Sequence, residues 1–65
     1  MSKHVYIYMR DTLIGILHCD SYKEQKVGDV ILLDFYKKEY DSDYDISYRM
    51  FIGNITCDRY EVKEA

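Results

Sequence analysis

Alternation of apolar and polar residues marks the start of the chain, over residues 4–10. One parity carries aliphatic side chains and the other carries Tyr6 and Tyr8, and this period of two predicts a β-strand with one buried face. The same pattern resumes over residues 13–19. We therefore expect the two segments to pair as a hairpin.

A two-residue turn at residues 11–12 closes this predicted hairpin and sets its register. His4 then lies opposite Cys19. The predicted core face of the hairpin comprises Val5, Ile7, Met9, Ile14 and Ile16. Because side chains alternate with a period of two, a slip of one residue would turn one of these aliphatic sets toward solvent.

The middle of the chain is predicted to hold a loop and then a central strand. Residues 20–26 are polar, which is typical of a loop, and Gly28 with Asp29 marks a turn. Residues 31–35 are apolar on both parities, which indicates a strand that is covered on both faces. No internal repeat is apparent along the chain.

A second hairpin is predicted near the end of the chain, where residues 53–54 (Gly-Asn) separate two strand patterns. Glycine at the first position of a two-residue loop is a common hairpin signal. This register sets Arg49 opposite Asp58. Its predicted apolar face comprises Ile46, Tyr48, Met50, Ile52, Ile55 and Cys57.

These elements together predict an all-β chain that forms a single domain over residues 1–65. The expected architecture is one small antiparallel sheet of about five strands in meander order. Two hairpins around a central strand are expected to curl this sheet toward an SH3-like barrel, and residues 27–30 resemble the entry into a strand in several small barrels.

Size and charge narrow the range of functions. A domain of 65 residues buries only about 60% of the surface of its unfolded chain, so a homo-oligomer is one way to gain stability. The net charge of −3 and the scattered Lys and Arg residues argue against a nucleic-acid partner. No apolar stretch is long enough to cross a membrane and no signal-peptide pattern is present, so we expect a cytoplasmic protein without membrane contact.

Patterns for catalysis and metal binding are missing from the sequence. Cys19 and Cys57 are expected to be small buried hydrophobes, with a disulfide or a metal site as the alternatives. Residues 41–45 begin like a calcium loop, but Ile46 and Ile52 stand where an EF-hand needs Gly and Glu. We expect no catalysis, no metal and no cofactor.

Tyrosine and acidic residues are concentrated in one segment, which is predicted to be a loop or hairpin tip over residues 38–45. Tyrosine is common at binding hot spots, and carboxylates suit a basic partner. A purely structural role, in which amphipathic rings cover a thin core, is the alternative. The residues predicted to bind a partner are Tyr36, Tyr40, Asp41, Asp43, Tyr44, Asp45 and Tyr48.

These features predict a small, non-catalytic protein-interaction module that binds a host or cellular protein. Its size and acidity are typical of a viral or phage accessory protein, which would inhibit a host protein by imitating a phosphate backbone. One alternative is an oligomeric binder of a small molecule or nucleotide. A second is a single-stranded nucleic-acid module that uses Tyr6 and Tyr8 with Lys3 and Arg10.

Overall fold

The computed structural model describes residues 2–64, and all of its regular structure is β-strand. The strands are β1 (Lys3–Met9), β2 (Thr12–Cys19), β3 (Ser21–Val27), β4 (Val30–Asp41), β5 (Ile46–Cys57) and β6 (Arg59–Glu64). They form two three-stranded sheets with the orders β2-β1-β6 and β3-β4-β5, and every neighbouring pair is antiparallel. Within residues 2–64 no helix has the length and apolarity needed to cross a membrane.

Two tight turns depend on left-handed backbone conformations. Arg10 and Asp11 close the β1–β2 hairpin with φ angles of 52° and 62°, the pair of positive values that a type I′ turn requires. Gly28 begins the β3–β4 turn with φ at 64°, where the absence of a Cβ avoids a clash. The predicted turn at residues 28–29 is confirmed, and the turn predicted at residues 11–12 lies one residue earlier.

A turn that lies one residue earlier moves the strand pairing by two residues, and a β-bulge reduces this difference to one residue over Lys3 to Ile7. His4 lies opposite His18, with ring centroids 4.2 Å apart, and Cys19 lies opposite Lys3. The register also shifts between Ile7 and Tyr8, where β2 accommodates an extra residue as a β-bulge. The earlier turn and this bulge together invert the faces of β2.

The core face predicted for the first hairpin is therefore only half correct. Val5 and Ile7 are fully buried, but Ile14 and Ile16 are 49% and 46% exposed. Leu17, which lies opposite Val5, packs against the core in their place.

Two further sequence predictions are wrong. Residues 20–26 are not a loop, because residues 21–27 form strand β3, an edge strand whose polar side chains face solvent. The Gly-Asn pair at residues 53–54 is not a turn, because β5 continues through it to Cys57. Gly53 instead lies beside a bulge opposite Phe35 with φ at 150°, and Arg49 lies opposite Lys38 rather than Asp58.

The all-β, antiparallel character of the prediction is confirmed. The single five-stranded sheet is not, because six strands are divided between two sheets. The curl toward an SH3-like barrel is likewise not confirmed, since the described strands do not form one closed sheet.

Both sheets contribute equally to the buried core. The fully buried or nearly buried side chains are Val5, Ile7 and Cys19 from one sheet and Leu33, Phe35 and Cys57 from the other. The prediction that both cysteines are buried is confirmed, and both thiols are free. Burial of the thiol is the main cause that raises the pKa of each cysteine.

The topology repeats after three strands. In each half, a hairpin (β1–β2 or β4–β5) is followed by a strand that crosses to the other sheet. β3 pairs with β4 of the second half, and β6 pairs with β1 of the first half. The two halves thus exchange their third strands, which gives the fold an approximate two-fold relation.

A sequence repeat accompanies this topology and corrects the view that the chain has none. The pattern Ile-Gly-x-(Leu/Ile)-x-Cys-Asp-x-Tyr occurs over residues 14–22 and again over residues 52–60. Each glycine lies opposite the residue that precedes a bulge, Ile7 or Phe35. Each cysteine is buried at the end of its hairpin.

The aspartate that follows each cysteine makes the same two contacts in both halves. The backbone N–H of Asp20 donates to the carbonyl oxygen of Tyr36, and that of Asp58 donates to the carbonyl oxygen of Tyr8. Each Oδ2 then accepts a hydrogen bond of 2.7 Å from a backbone N–H, that of Lys38 at Asp20 and that of Arg10 at Asp58. These shared contacts show that the repeat is structural as well as sequential.

Candidate binding arm and the cleft at its base

The two repeated hairpins differ in length. Tyr8 and Tyr36, which follow the two bulges, are 28 positions apart, whereas Gly15 and Gly53 are 38 positions apart. The second hairpin therefore contains ten additional residues, which correspond to residues 39–48. We call this insertion the arm.

The arm contains most of the residues that the sequence predicts as a binding site. β4 runs to Asp41, residues 42–45 form the tip, and β5 begins at Ile46. A strand of 12 residues spans about 40 Å, so the β4–β5 hairpin accounts for nearly all of the 45 Å long axis of the molecule. Tyr44 at the tip is 76% exposed. The predicted hairpin tip is present only over residues 42–45, since residues 38–41 belong to β4, and it projects into solvent.

The four regularly spaced tyrosines do not form one row. Tyr36 and Tyr40 lie on the same face of β4, because side chains alternate along a strand. Tyr48 lies opposite Glu39 in the pairing of β4 with β5, so it occupies the other face. Tyr44 lies in the tip between them. The chain reverses direction over residues 42–45, between Tyr40 and Tyr48. Tyrosines that recur every four residues in the sequence therefore do not line up on one face of the hairpin.

Carboxylates at the tip are held by local hydrogen bonds. Oδ1 of Asp41 accepts from the backbone N–H of Asp43 at 3.0 Å, and Oδ1 of Asp45 accepts a short hydrogen bond from the hydroxyl of Tyr40. This second bond is the main cause that raises the pKa of Tyr40. The tip therefore presents fixed negative charges beside an exposed aromatic ring.

A cleft of about 460 Å³ lies at the base of the arm. Its lining residues are Asp20, Ser21, Lys38, Ser47, Tyr48 and Arg49. This volume lies within the usual range for ligand sites, and most of the lining residues are exposed.

Two cations lie side by side in the lining of this cleft. Lys38 and Arg49 lie directly opposite each other in the β4–β5 pairing, and neither forms an ion pair within residues 2–64. Arg49 lies 5.4 Å from the centroid of the Tyr36 ring, and the buried hydroxyl of Ser21 has no hydrogen-bond partner among the described residues. The cleft is therefore suited to a carboxylate or another anionic group.

The matching corner of the other half is filled. Arg59 holds the position in the second copy of the sequence repeat that Ser21 holds in the first. Its guanidinium lies 4.0 Å from the centroid of the Tyr8 ring. Arg59 also pairs with Glu61 at 3.0 Å. Replacement of the arginine by a serine in the repeat leaves the Tyr36 side of the molecule more open.

Sequence reasoning missed Lys38 and its place beside Arg49, because the two residues become neighbours only when β4 and β5 pair. The signal that identifies the corner is the repeated Cys-Asp pair, which places Asp20 beside Lys38. The cleft thus depends on tertiary contacts between residues that are distant in sequence.

The tyrosines proposed for nucleic-acid stacking lie away from the arm. The Nζ of Lys63 is 4.6 Å from the centroid of the Tyr6 ring, and Arg59 covers Tyr8. Lys3 pairs with Glu64 at 3.4 Å. One face of the Tyr6 ring, one face of the Tyr8 ring and the amino group of Lys3 are therefore already in contact with other residues of the chain.

A row of exposed apolar side chains runs along β5, the edge strand that forms one side of the arm. Its large exposed members are Ile46, Tyr48, Met50, Phe51 and Ile52. Exposed hydrophobic residues on an edge strand are typical of association surfaces.

Comparison with protein-family models, curated proteins and solved structures finds no match to this chain.

Proposed function

We propose that the protein is a non-catalytic interaction module that binds another protein through its arm. The observation that carries the proposal is that residues 39–48 are an insertion into a repeated hairpin. The first half forms the same fold elements with a two-residue turn, so the arm adds surface rather than a fold element.

The chemistry of the arm indicates the kind of partner. Four carboxylates, those of Glu39, Asp41, Asp43 and Asp45, accompany the exposed ring of Tyr44. Acidic groups attract a basic surface and speed the encounter, whereas aromatic rings supply most of the contact energy. The favoured partner is a protein with a basic surface that can accommodate an extended hairpin.

Affinity capture with matched variants tests the proposal. The protein, the variant D41N/D43N/Y44A and the control D11N/D29N are immobilised and exposed to the same cell lysate. The control loses two carboxylates from the tips of the other hairpins, so it separates an effect of the arm from an effect of net charge.

A partner that is captured stoichiometrically by the protein and by the control, but not by the arm variant, would support the proposal. Its capture should also weaken as salt is added, because exposed charge attraction is screened. Equal capture by all three proteins would contradict a role for the arm.

The inhibition of a host protein by a viral or phage accessory protein stays a prediction within this proposal. Its support is the group of four carboxylates on the arm, which could imitate phosphates in a basic groove. Displacement of duplex DNA from the captured partner by the protein, but not by the arm variant, would show such mimicry. Simultaneous binding of DNA and protein would exclude it.

The cleft favours a second candidate function, the binding of a small anionic molecule or a nucleotide. Two cations without an ion pair among the described residues, Lys38 and Arg49, line a space of about 460 Å³ together with Asp20, and this volume lies within the usual range for ligand sites. Calorimetric titration with nucleotides tests this candidate. Binding that is lost in K38A/R49A would support it, and the absence of any heat of binding would remove it.

A further inference from the structure

Both histidines of the chain lie side by side on the outer face of the β2-β1-β6 sheet. His4 lies directly opposite His18 in the β1–β2 pairing, and the centroids of the two rings are 4.2 Å apart with an interplanar angle of 17°. Val5 and Cys19, the next residues along the two strands, are buried, so both imidazoles point away from the core. His18 is exposed and His4 is half-buried, so a solute can reach the pair.

This pairing exists only in the register that the structure has. The register predicted from the sequence set His4 opposite Cys19, which would turn His18 to the other face of the sheet. The turn at residues 10–11 and the bulge beyond Ile7 bring the two imidazoles together instead. Imidazole is a preferred ligand of Zn²⁺ and of the other late first-row divalent ions.

The ring nitrogens of both histidines are available. Neither ring takes part in a hydrogen bond or an ion pair among residues 2–64. Lys63 lies opposite His4 on the β6 side, but its Nζ is held 4.6 Å from the centroid of the Tyr6 ring. This ammonium group is therefore directed to Tyr6 rather than to the histidine pair.

The spacing of the pair allows both rings to bind one ion. Directly opposite residues of an antiparallel pair have Cβ atoms about 4.5–5.5 Å apart. Two nitrogens that bind a tetrahedral Zn²⁺ at about 2.0–2.1 Å lie about 3.3 Å from each other. Stacked rings have nearly parallel nitrogen lone pairs, so the two rings must splay apart by rotation of their side chains to converge on the ion. The exposure of His18 leaves room for this rotation.

We propose that His4 and His18 form a two-histidine site for a late first-row divalent metal ion such as Zn²⁺, which links the edge strand β2 to β1. Among residues 2–64 no group of three or more His, Cys, Asp or Glu side chains is placed to hold an ion, so water fills the remaining positions. Structural zinc sites use four protein ligands, so binding here is weaker and reversible. The arm belongs to the other sheet, so this site is separate from the proposed function.

Calorimetric titration with zinc chloride tests the proposal on the unmodified protein and on H4A, H18A and H18A/Q25H. The double variant keeps two histidines but separates them, because Gln25 is an exposed residue of β3 in the other sheet. A second ligand that is already in place raises affinity without any further contact. We expect one ion to bind per unmodified chain, and a dissociation constant at least tenfold higher in each of the three variants.

NMR of the unmodified protein gives a second readout that does not depend on the folding of a variant. The imidazole proton signals of His4 and His18 should shift together along one saturation curve as zinc is added. A shift of only one histidine, or no binding at millimolar zinc, would overturn the proposal. Equal affinity of the unmodified protein and H18A/Q25H would overturn it as well, since it would show that the pairing of the two rings contributes nothing.

Discussion

The rings of Tyr22 and Tyr60 lie edge to face, with centroids 5.7 Å apart and an interplanar angle of 77°. The two residues hold the same position in the two halves of the sequence repeat. Each belongs to the strand that crosses to the other sheet, β3 or β6. Their contact is therefore the place where the two exchanged strands meet, and the approximate two-fold relation passes between them.

Removal of the Tyr60 hydroxyl should destabilise the fold modestly. This hydroxyl donates a hydrogen bond of 2.6 Å to Oε1 of Glu24, which joins β6 to β3. We expect Y60F to lower the free energy of unfolding by about 0.5–1.5 kcal/mol, the usual range for one hydrogen bond. Urea denaturation measures the change, with Y44F at the exposed tip as the control that should have no effect.

Stability should decline in alkaline solution partly because of the same residue. Burial raises the pKa of Tyr60 above its ordinary value, and its hydrogen bond to Glu24 adds to the effect. The folded state then binds this proton more tightly than the unfolded state, so the contribution is complete below about pH 10 and is lost as the pH rises further. Y60F should show a smaller loss of stability than the unmodified protein between pH 9 and 11, and parallel losses would refute this assignment.

The two corner aspartates should make equal and additive contributions. Asp20 and Asp58 each accept one hydrogen bond of 2.7 Å from a backbone N–H of the other sheet's hairpin. We expect D20A and D58A to cost about 1 kcal/mol each and the double variant about the sum, since the two corners share no partner. Substitution by Asn keeps an acceptor oxygen and should cost less. A large difference between the two sites would contradict their equivalence.

The repeated glycines should respond differently to substitution. Gly53 has φ at 150°, where a side chain is strained, whereas Gly15 is not among the residues with positive φ and has open space within 4 Å of the point that a Cβ would occupy. We expect G53A to destabilise the protein by about 1–3 kcal/mol and G15A to be neutral or slightly stabilising. Thermal unfolding distinguishes the two. Equal effects would argue against the bulge conformation of Gly53.

Cys19 and Cys57 should react slowly with alkylating agents in the folded protein. Both thiols are buried, and burial raises the pKa of each, so little of the reactive thiolate is present at neutral pH. Mass spectrometry after iodoacetamide treatment should show little modification without denaturant and complete modification in urea. Rapid modification of either thiol in the folded state would contradict its place in the core.

The strand content of the fold could be predicted from the sequence, because period-two alternation depends only on local side-chain order. The turn at Gly28 could be predicted for the same reason, since glycine supplies the positive φ itself. Arg10 and Asp11 gave no such signal, as type I′ turns prefer Asn or Asp at the first position and Gly at the second. The turn alone moves the pairing by two residues and keeps the faces, so the bulge opposite Ile7, which the sequence does not mark, is what exchanges the buried and exposed faces of β2 beyond it.

The division into two sheets required long-range information. Residues 21–27 have a polar composition and become a strand only because β4 provides a partner along their whole length. The local sequence at Gly53 fits a turn as well as a bulge. Only the pairing of Gly53 with Phe35 decides between these two structures. The repeat around the two Cys-Asp pairs, by contrast, was readable from the sequence, and it would have indicated both the exchanged strands and the arm.

The proposed role of the arm requires that it be an addition to a duplicated fold that is complete without it. Lys37 lies opposite Met50 in the β4–β5 pairing, so a two-residue turn can join these positions in the way that Arg10 and Asp11 join β1 to β2. Replacement of residues 38–49 by Asn-Gly, a sequence that favours type I′ turns, creates this shortened chain.

Urea denaturation of the shortened chain, followed by circular dichroism, is the most direct test. We predict a β-sheet spectrum and a cooperative transition, with a free energy of unfolding within about 2 kcal/mol of the unmodified protein, since the fully buried residues all remain. A chain without a cooperative transition would show that the arm is part of the folding unit and would contradict the account.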